Sequence, residues 1–293
     1  MAVNNIFLNI SFFFLSLCCF AQADLLNQLL EDQGEVKKKV DYTFKSYKLI
    51  NFETPKLVAK KHLNFTIFHR FGSVSSGIET LYGIDQASTR LQFVYGLTDH
   101  INISFSRSKF ERSYDFGAKY HITKQKKHGF PFTMAGNHLL VINTEFSKEV
   151  FPGLDFTNRL RSTNQLIVAS KINDKISIEF LPTVLHDGLV EFKDQSNWQF
   201  ALGTGARFLL TKRMGIILDY GIHFNRSVLS REKYNNPLSI GFEVETGGHV
   251  FQIHLSNSQG MFENAFINQA NGDWSQGDVF LGFNINRIFN FQK

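Results

Sequence analysis

The chain has 293 residues, 43% hydrophobic and 14% aromatic, with 32 Phe and a net charge of +5. That charge is mild, and the clusters Lys37–Lys39 and Lys124–Lys127 are small and far apart, so no nucleic-acid partner is expected. Both cysteines, Cys18 and Cys19, lie near the N-terminus, so a chain starting at Asp24 has no disulfide, zinc–thiolate site or thiol catalysis.

Residues 1–23 read as a cleaved secretory signal peptide. Ile6 to Phe20 form an apolar stretch, and Ala21-Gln22-Ala23 supplies an A-x-A site before Asp24. Met1 to Asn5 carry no Lys or Arg, which is off pattern. The alternative, an uncleaved anchor helix, is opposed by the short stretch and its interruptions at Asn9, Ser11 and Ser16. Lipidation of Cys18 is opposed by Leu17, where a small residue is needed. Residues 24–60 read as a lead-in. Leu25, Leu26, Leu29 and Leu30 share one face of a short helix over Asp24–Gln33, and Tyr42–Phe52 reads as an extra strand or as a segment tucked near a barrel mouth.

From Lys61 onward, twelve segments have strand character: 61–71, 87–96, 101–107, 112–122, 134–146, 160–171, 175–185, 198–210, 213–223, 237–246, 248–256 and 277–289. The later ones alternate strictly, as in Trp198, Phe200, Leu202, Thr204, Ala206 and Phe208 against Gln199, Ala201, Gly203, Gly205 and Arg207. The second face holds Gly, Gln, Asn and Ser with single charges, which suits the wet interior of a closed barrel rather than a surface in bulk water. Segments 134–146 and 160–171 alternate less cleanly, and Ser76–Tyr82 carries a short helical pattern. Long links at about 72–86, 147–159, 186–197, 224–236 and 257–276 alternate with tight turns from residue 147 onward. Outer-membrane barrels have this asymmetry, and twelve strands put both chain ends on the short-turn side. A soluble exported barrel or sandwich shares the period but predicts no such asymmetry. The fold expected over 61–293 is therefore an up-and-down antiparallel transmembrane β-barrel of about twelve strands in a Gram-negative outer membrane. Tyr95, Tyr120, Trp198, Tyr220 and Phe289 are candidates for its interfacial girdles.

Parity puts Arg90, Lys119, Glu179, Arg207, Asp219, Glu243, Glu245, His223 and His254 in the lumen. Such mixed charges set ion selectivity or hold a plug by pairing. Among the ten histidines, none shows metal-ligand spacing, and no metal or other cofactor is expected. No G-x-S-x-G occurs, and Ser256 and Ser258 near His254 form the only close Ser/His cluster. The loop Asn257–Gly277, with Met261, Phe262, Phe266, Asp273 and Trp274, suits a glycan contact, a constriction folded into the lumen, or a loop packed on its own aromatics. Residues Gly77–Asp85 form a second candidate constriction or cap.

Several segments carry a family resemblance: His69-Arg70-Phe71-Gly72, Tyr82-Gly83-Ile84-Asp85-Gln86, Ser88-Thr89-Arg90 and Tyr95-Gly96-Leu97-Thr98-Asp99. Glu245-Thr246-Gly247-Gly248-His249, His254-Leu255-Ser256-Asn257-Ser258 and Gly277-Asp278-Val279-Phe280-Leu281-Gly282 continue it. Over about residues 40–289 the chain resembles a family of β-barrel proteins from Bacteroidota whose function is unknown. The resemblance implies an outer-membrane location and transfers no activity. The similarity of the final strand to a barrel-assembly signal implies insertion by the barrel-assembly machinery, although the strand departs from that signal by running past the usual terminal aromatic to Phe291-Gln292-Lys293.

The candidate constriction or lumen residues are Arg70, Arg90, Arg207, Glu243, Glu245 and His254. The candidate loop contacts are Asp85, Gln86, Asn257 and Trp274. The leading functional reading is a non-enzymatic narrow pore for a small solute, surrounded by outer-membrane lipid. A non-conducting barrel that scaffolds or docks another envelope protein comes second, and a lipid-active enzyme third.

Overall fold

The computed structural model describes residues 43–127 and 129–291. The expected signal peptide and the helix at Asp24–Gln33 lie outside them. Twelve antiparallel strands close into one barrel: β1 His62–Ser73, β2 Ala87–Gly96, β3 Ile101–Ser108, β4 Tyr114–Thr123, β5 Thr133–Ile142, β6 Leu160–Lys171, β7 Ile176–Asp187, β8 Trp198–Leu209, β9 Met214–His223, β10 Leu238–Thr246, β11 His249–Ser256 and β12 Phe280–Asn290. Each pairs with its sequence neighbours, and β1 meets β12 in register from His62↔Asn290 to Arg70↔Gly282. Closure leaves no strand edge, which a sheet surrounded by lipid requires.

Period-two alternation decides which side chains face out. Leu91 and Phe93 on β2, Phe105 on β3, Phe180 on β7, Phe200 and Phe208 on β8 and Phe242 on β10 are exposed large hydrophobics around the barrel. Their inward neighbours, among them Arg90, Gln92, Ser106, Glu179, Gln199 and Arg207, are buried. This is the outward apolar band and polar interior of a membrane barrel. Tyr120 also faces out, and its ring covers the space beside Gly136 and stacks on His138 at 5.6 Å.

Two strand boundaries need correction. β5 ends at Ile142 because Asn143 Oδ1 turns the chain by accepting from the backbone N–H groups of Glu145 and Phe146. β12 begins at Phe280, since Asp278 N–H bonds back to the carbonyl of Asp273 and keeps 277–279 in the loop. The helical pattern at Ser76–Tyr82 becomes two single 3-10 turns, Val74–Ser76 and Ile78–Thr80, interrupted at Gly77. Gly77 adopts φ 68°, a left-handed conformation that favours glycine.

The links at 74–86, 143–159, 188–197, 224–237 and 257–279 lie at one end of the barrel. The turns at 97–100, 172–175, 210–213 and 247–248 lie at the other, with the start of β1 and the end of β12. Two six-residue helices sit in the long links: α1 Val228–Lys233 and α2 Glu263–Asn268. Every residue of α2 is buried, because this loop folds into the lumen.

Residues 43–58 correct the reading of the lead-in. They neither add a strand to the barrel wall nor stay at its mouth. They enter from the short-turn end and double back as a hairpin, closed by a Lys48↔Glu53 bridge and a Leu49 N–H bond to the Phe52 carbonyl at 2.9 Å. The tip reaches Gly203 of β8 and Gly221 of β9, so it passes the middle of the barrel.

Candidate functional site: a hairpin and a helix meeting in the lumen

The hairpin comes from the short-turn end and α2 from the long-loop end, and they touch. The rings of Phe52 and Phe266 meet edge-on with centroids 4.8 Å apart. Around them lie Ala135, Ile167, Leu181, Leu185 and Ala201, inward residues of β5 to β8, in one apolar cluster. A second cluster joins Phe44, Leu49 and Ile50 to Ala169 and Ile217, and a third seats Phe262 and Ala265 against Leu139 and Val141. These apolar inward residues explain why β5 and β6 alternate poorly in sequence: both of their faces are partly apolar.

The small face of β8 and β9 has a related cause. A Cβ at Gly203 would lie 2.4 Å from the Phe52 ring, and one at Gly205 would lie 2.7 Å from Leu49. The glycines that suggested a wet lumen are a socket for the hairpin tip, as interior strand glycines are where another group approaches closely.

A line of buried charge crosses the lumen. Lys119 Nζ, on the β4 wall, is 2.6 Å from Glu53; Glu53 is 2.8 Å from Lys48; Lys48 is 2.7 Å from Glu263 at the start of α2. The four side chains are at most 5% exposed. Lys119 also donates to the Thr54 carbonyl at 2.9 Å, and Lys48 to the Asn51 carbonyl at 2.9 Å. Two cations and two anions thus neutralise each other, which buried charges require.

The wall treats the hairpin backbone as it would treat water. Asp219 Oδ2 accepts from the N–H groups of Ile50, Asn51 and Phe52 at 3.3, 2.7 and 3.4 Å. Asn102 both accepts from the Val58 N–H at 2.7 Å and donates to its carbonyl at 2.8 Å. Asn284 donates to the Ile50 carbonyl and Gln252 to that of Lys48. Glu179 stands out among the less satisfied groups: it is fully buried, next to Leu49, and neither of its oxygens has a hydrogen-bond partner among the described residues.

The predicted lumen residues are all inward but fall into separate groups: Arg207 with Glu243, Arg70 beside His254, and Arg90 and Glu245 each with other partners. Arg90 forms a two-nitrogen contact with Asp115 at 2.8 and 3.1 Å and donates to the Met261 carbonyl of the inserted loop. Arg207 pairs with Glu243 at 2.7 Å toward the short-turn end, where Ser46 Oγ also donates to Glu243. Glu245 pairs with Lys45 of the hairpin and is about one-third exposed. Arg90 is therefore set apart from Arg207, Glu243 and Glu245, so the four do not form one constriction ring. Arg70 donates to Asn51 at 2.9 Å and to Asn284 at 3.2 Å. Its aliphatic stem and the ring of His254 flank Gly282, which has no Cβ to part them. His254 has no hydrogen-bond partner at either ring nitrogen among the described residues, Ser256 and Ser258 included. His121 and His223 are engaged apart from it, with the Pro55 carbonyl and with Gln199.

Asn257 and Trp274 serve the loop itself. Asn257 accepts from the Leu238 N–H at 2.8 Å and donates to the Asn236 carbonyl; Trp274 donates to the Leu238 carbonyl at 3.0 Å. Asp85 and Gln86 are exposed in the β1–β2 loop. Lys48, Asn51, Phe52, Glu53 and Glu263 escaped the sequence reading. Their signal was indirect: three inward glycines, Gly203, Gly205 and Gly221, on two adjacent strands.

Comparisons with known proteins agree with this architecture. No curated protein matches the chain significantly. Among solved structures, the NanC porin aligns with TM-score 0.47 and 10% identity, over 78% of this chain and 100% of that one. The KdgM porin gives 0.45 and 9%, over 79% and 99%. An outer membrane channel from Pseudomonas putida F1 gives 0.46 and 11%, over 86% and 100%. Such remote likenesses carry no functional weight. The sequence family described as "Membrane bound beta barrel domain (DUF5777)" matches residues 44–289, nearly the whole described chain. With its closed barrel and outward apolar band, this chain belongs to that membrane-bound β-barrel family.

Proposed function

We propose that this protein is a narrow pore of the Gram-negative outer membrane, with its long loops outside, stoppered at rest by the hairpin 43–58 and by α2. The observation that carries this reading is the chemistry of the hairpin seat. A permanent core is apolar throughout, whereas this hairpin adds ion pairs and side chains bonding its backbone to the apolar contacts of Phe44, Leu49, Ile50 and Phe52. When the hairpin leaves, water replaces those polar partners on both sides, so that part of the seat costs far less to undo than an apolar one of the same size. Glu179 works in the same direction: buried without a partner beside Leu49, it penalises the docked state. Both limbs of the hairpin lead to the short-turn end, the periplasmic side in this orientation, where the barrel-assembly machinery or an envelope protein would meet it.

The second reading is a non-conducting barrel that docks an envelope protein, favoured by two inserts that meet in the lumen. Single-channel recording in planar lipid bilayers separates the two. Asp219→Asn weakens the acceptor for three hairpin N–H groups, and we expect a rise in open probability of about tenfold, a loss of about 1.4 kcal/mol from a charge-assisted contact. Silence in both the native chain and this variant would sink the pore reading and leave the docking barrel.

A further inference from the structure

At the long-loop end the inserts leave a cleft of about 220 Å³ between the β5–β6, β7–β8 and β9–β10 links and the end of α2. It equals about seven waters of liquid volume, room for one small ring. Its polar side is a connected network of ion pairs and hydrogen bonds. Arg161 grips Glu111 with two nitrogens at 2.6 and 3.0 Å, and its Nε lies 3.5 Å from Asp187. Asp187 in turn accepts from Gln199 at 2.9 Å and from Asn264 and Asn268 of α2, each at 2.8 Å. The apolar side holds two edge-on aromatic pairs, Phe146 with Phe151 and Phe192 with Tyr234.

This chemistry selects a ligand. Arg161 is already shared between two carboxylates, and Glu191 adds a further negative charge at the rim, where Lys233 pairs with it. An anion would find no uncommitted cation. The polar side is rich in acceptors, among them the carboxylates of Glu111, Asp187 and Glu191. The ligand should therefore bring hydroxyl donors for that side and C–H faces for the negative faces of the rings. A neutral sugar ring carries both at this size. We propose that the cleft binds one residue of a neutral sugar. The site stands independently of whether the barrel conducts.

The test is titration calorimetry on the refolded chain 24–293 in lauryldimethylamine oxide, which has no sugar headgroup to compete. The probes are glucose, galactose and N-acetylglucosamine, with galacturonate as the anion and choline as the organic cation. We expect at least one neutral sugar to saturate. Phe146→Ala and Tyr234→Ala should each weaken it fivefold or more, while Tyr234→Phe, which keeps the ring, retains most of the affinity. No saturable neutral sugar, preference for galacturonate or choline, or unchanged binding in both alanine variants would overturn the proposal. Sugar binding by an electrically silent barrel would sink the pore and keep the cleft; a conducting barrel blind to sugars would do the reverse.

Discussion

Glu53 shows how one residue sets the balance between a docked and a free hairpin. Among the described residues it is the only carboxylate within ion-pairing distance of Lys119, and it shares Lys48 with Glu263. Glu53→Gln keeps the shape and leaves Lys119, at 1% exposure, with only the Tyr47 and Thr54 carbonyls and the Tyr47 ring close by to balance its charge. Removing one partner of a buried pair costs about 3–5 kcal/mol. Here the cost falls on docking rather than on the barrel, because Lys119 regains water once the hairpin departs. The chain from Asp24 has no cysteine, so a thiol introduced by Leu49→Cys reports the docked state: Leu49 is fully buried. We expect Glu53→Gln to speed maleimide labelling of that thiol by about two to three powers of ten, at 1.4 kcal/mol per tenfold step. Resistance of the barrel to unfolding by detergent should stay as it was. Unchanged labelling would mean that hairpin and wall open only together.

At the scale of elements, β8 and β9 are shaped by what they receive. Gly203→Val would put side-chain atoms where the Phe52 ring lies, since even a Cβ would sit 2.4 Å away. The expected outcome is a barrel that folds, judged by its heat-shifted mobility in gels, with the thiol introduced by Leu49→Cys freely labelled. The same strands show what sequence could and could not reveal. Strict alternation from Trp198 to Leu210 exposed the barrel, its inward face and the loop asymmetry, because membrane and lumen impose a period of two on every strand. The contents of the lumen stayed hidden. The hairpin 43–58 has no period of its own: Phe44, Leu49, Ile50 and Phe52 are buried by contact with residues far along the chain, such as Ala135, Ile167 and Ile217. Charged side chains such as Lys119 and Arg90 read correctly as inward, yet their partners Glu53 and Asp115 come from register and insertion, which spacing does not encode. Asn257 and Trp274 looked like loop contacts because amides and indoles often are; here their polar atoms close the loop onto β10.

For the whole molecule, the junction of hairpin and α2 makes the two ends of the barrel interdependent. Glu263 belongs to the long-loop insert, while Lys48 belongs to a segment that enters from the opposite end, and their 2.7 Å pair is 2% and 1% exposed. Beside it the Phe52–Phe266 contact ties the same two inserts through apolar surface. Any displacement of α2 must therefore either carry the hairpin with it or leave Lys48 with Glu53 alone. Coupling between sites is a difference in free energy between two arrangements, and it acts equally in both directions. Glu263→Gln tests this from the outer insert. It leaves the hairpin sequence, the wall and Asp219 untouched, so a purely local effect would loosen only α2. If the junction couples the ends, the thiol introduced by Leu49→Cys should label about tenfold faster, less than with Glu53→Gln because Lys48 keeps one carboxylate. Reciprocally, Glu53→Gln should speed backbone hydrogen exchange across Glu263–Asn268, whose helix meets the hairpin through the Lys48–Glu263 pair and the Phe52–Phe266 contact. Faster exchange in α2 with unchanged labelling at the hairpin would break the reciprocity and leave two independent stoppers in one barrel.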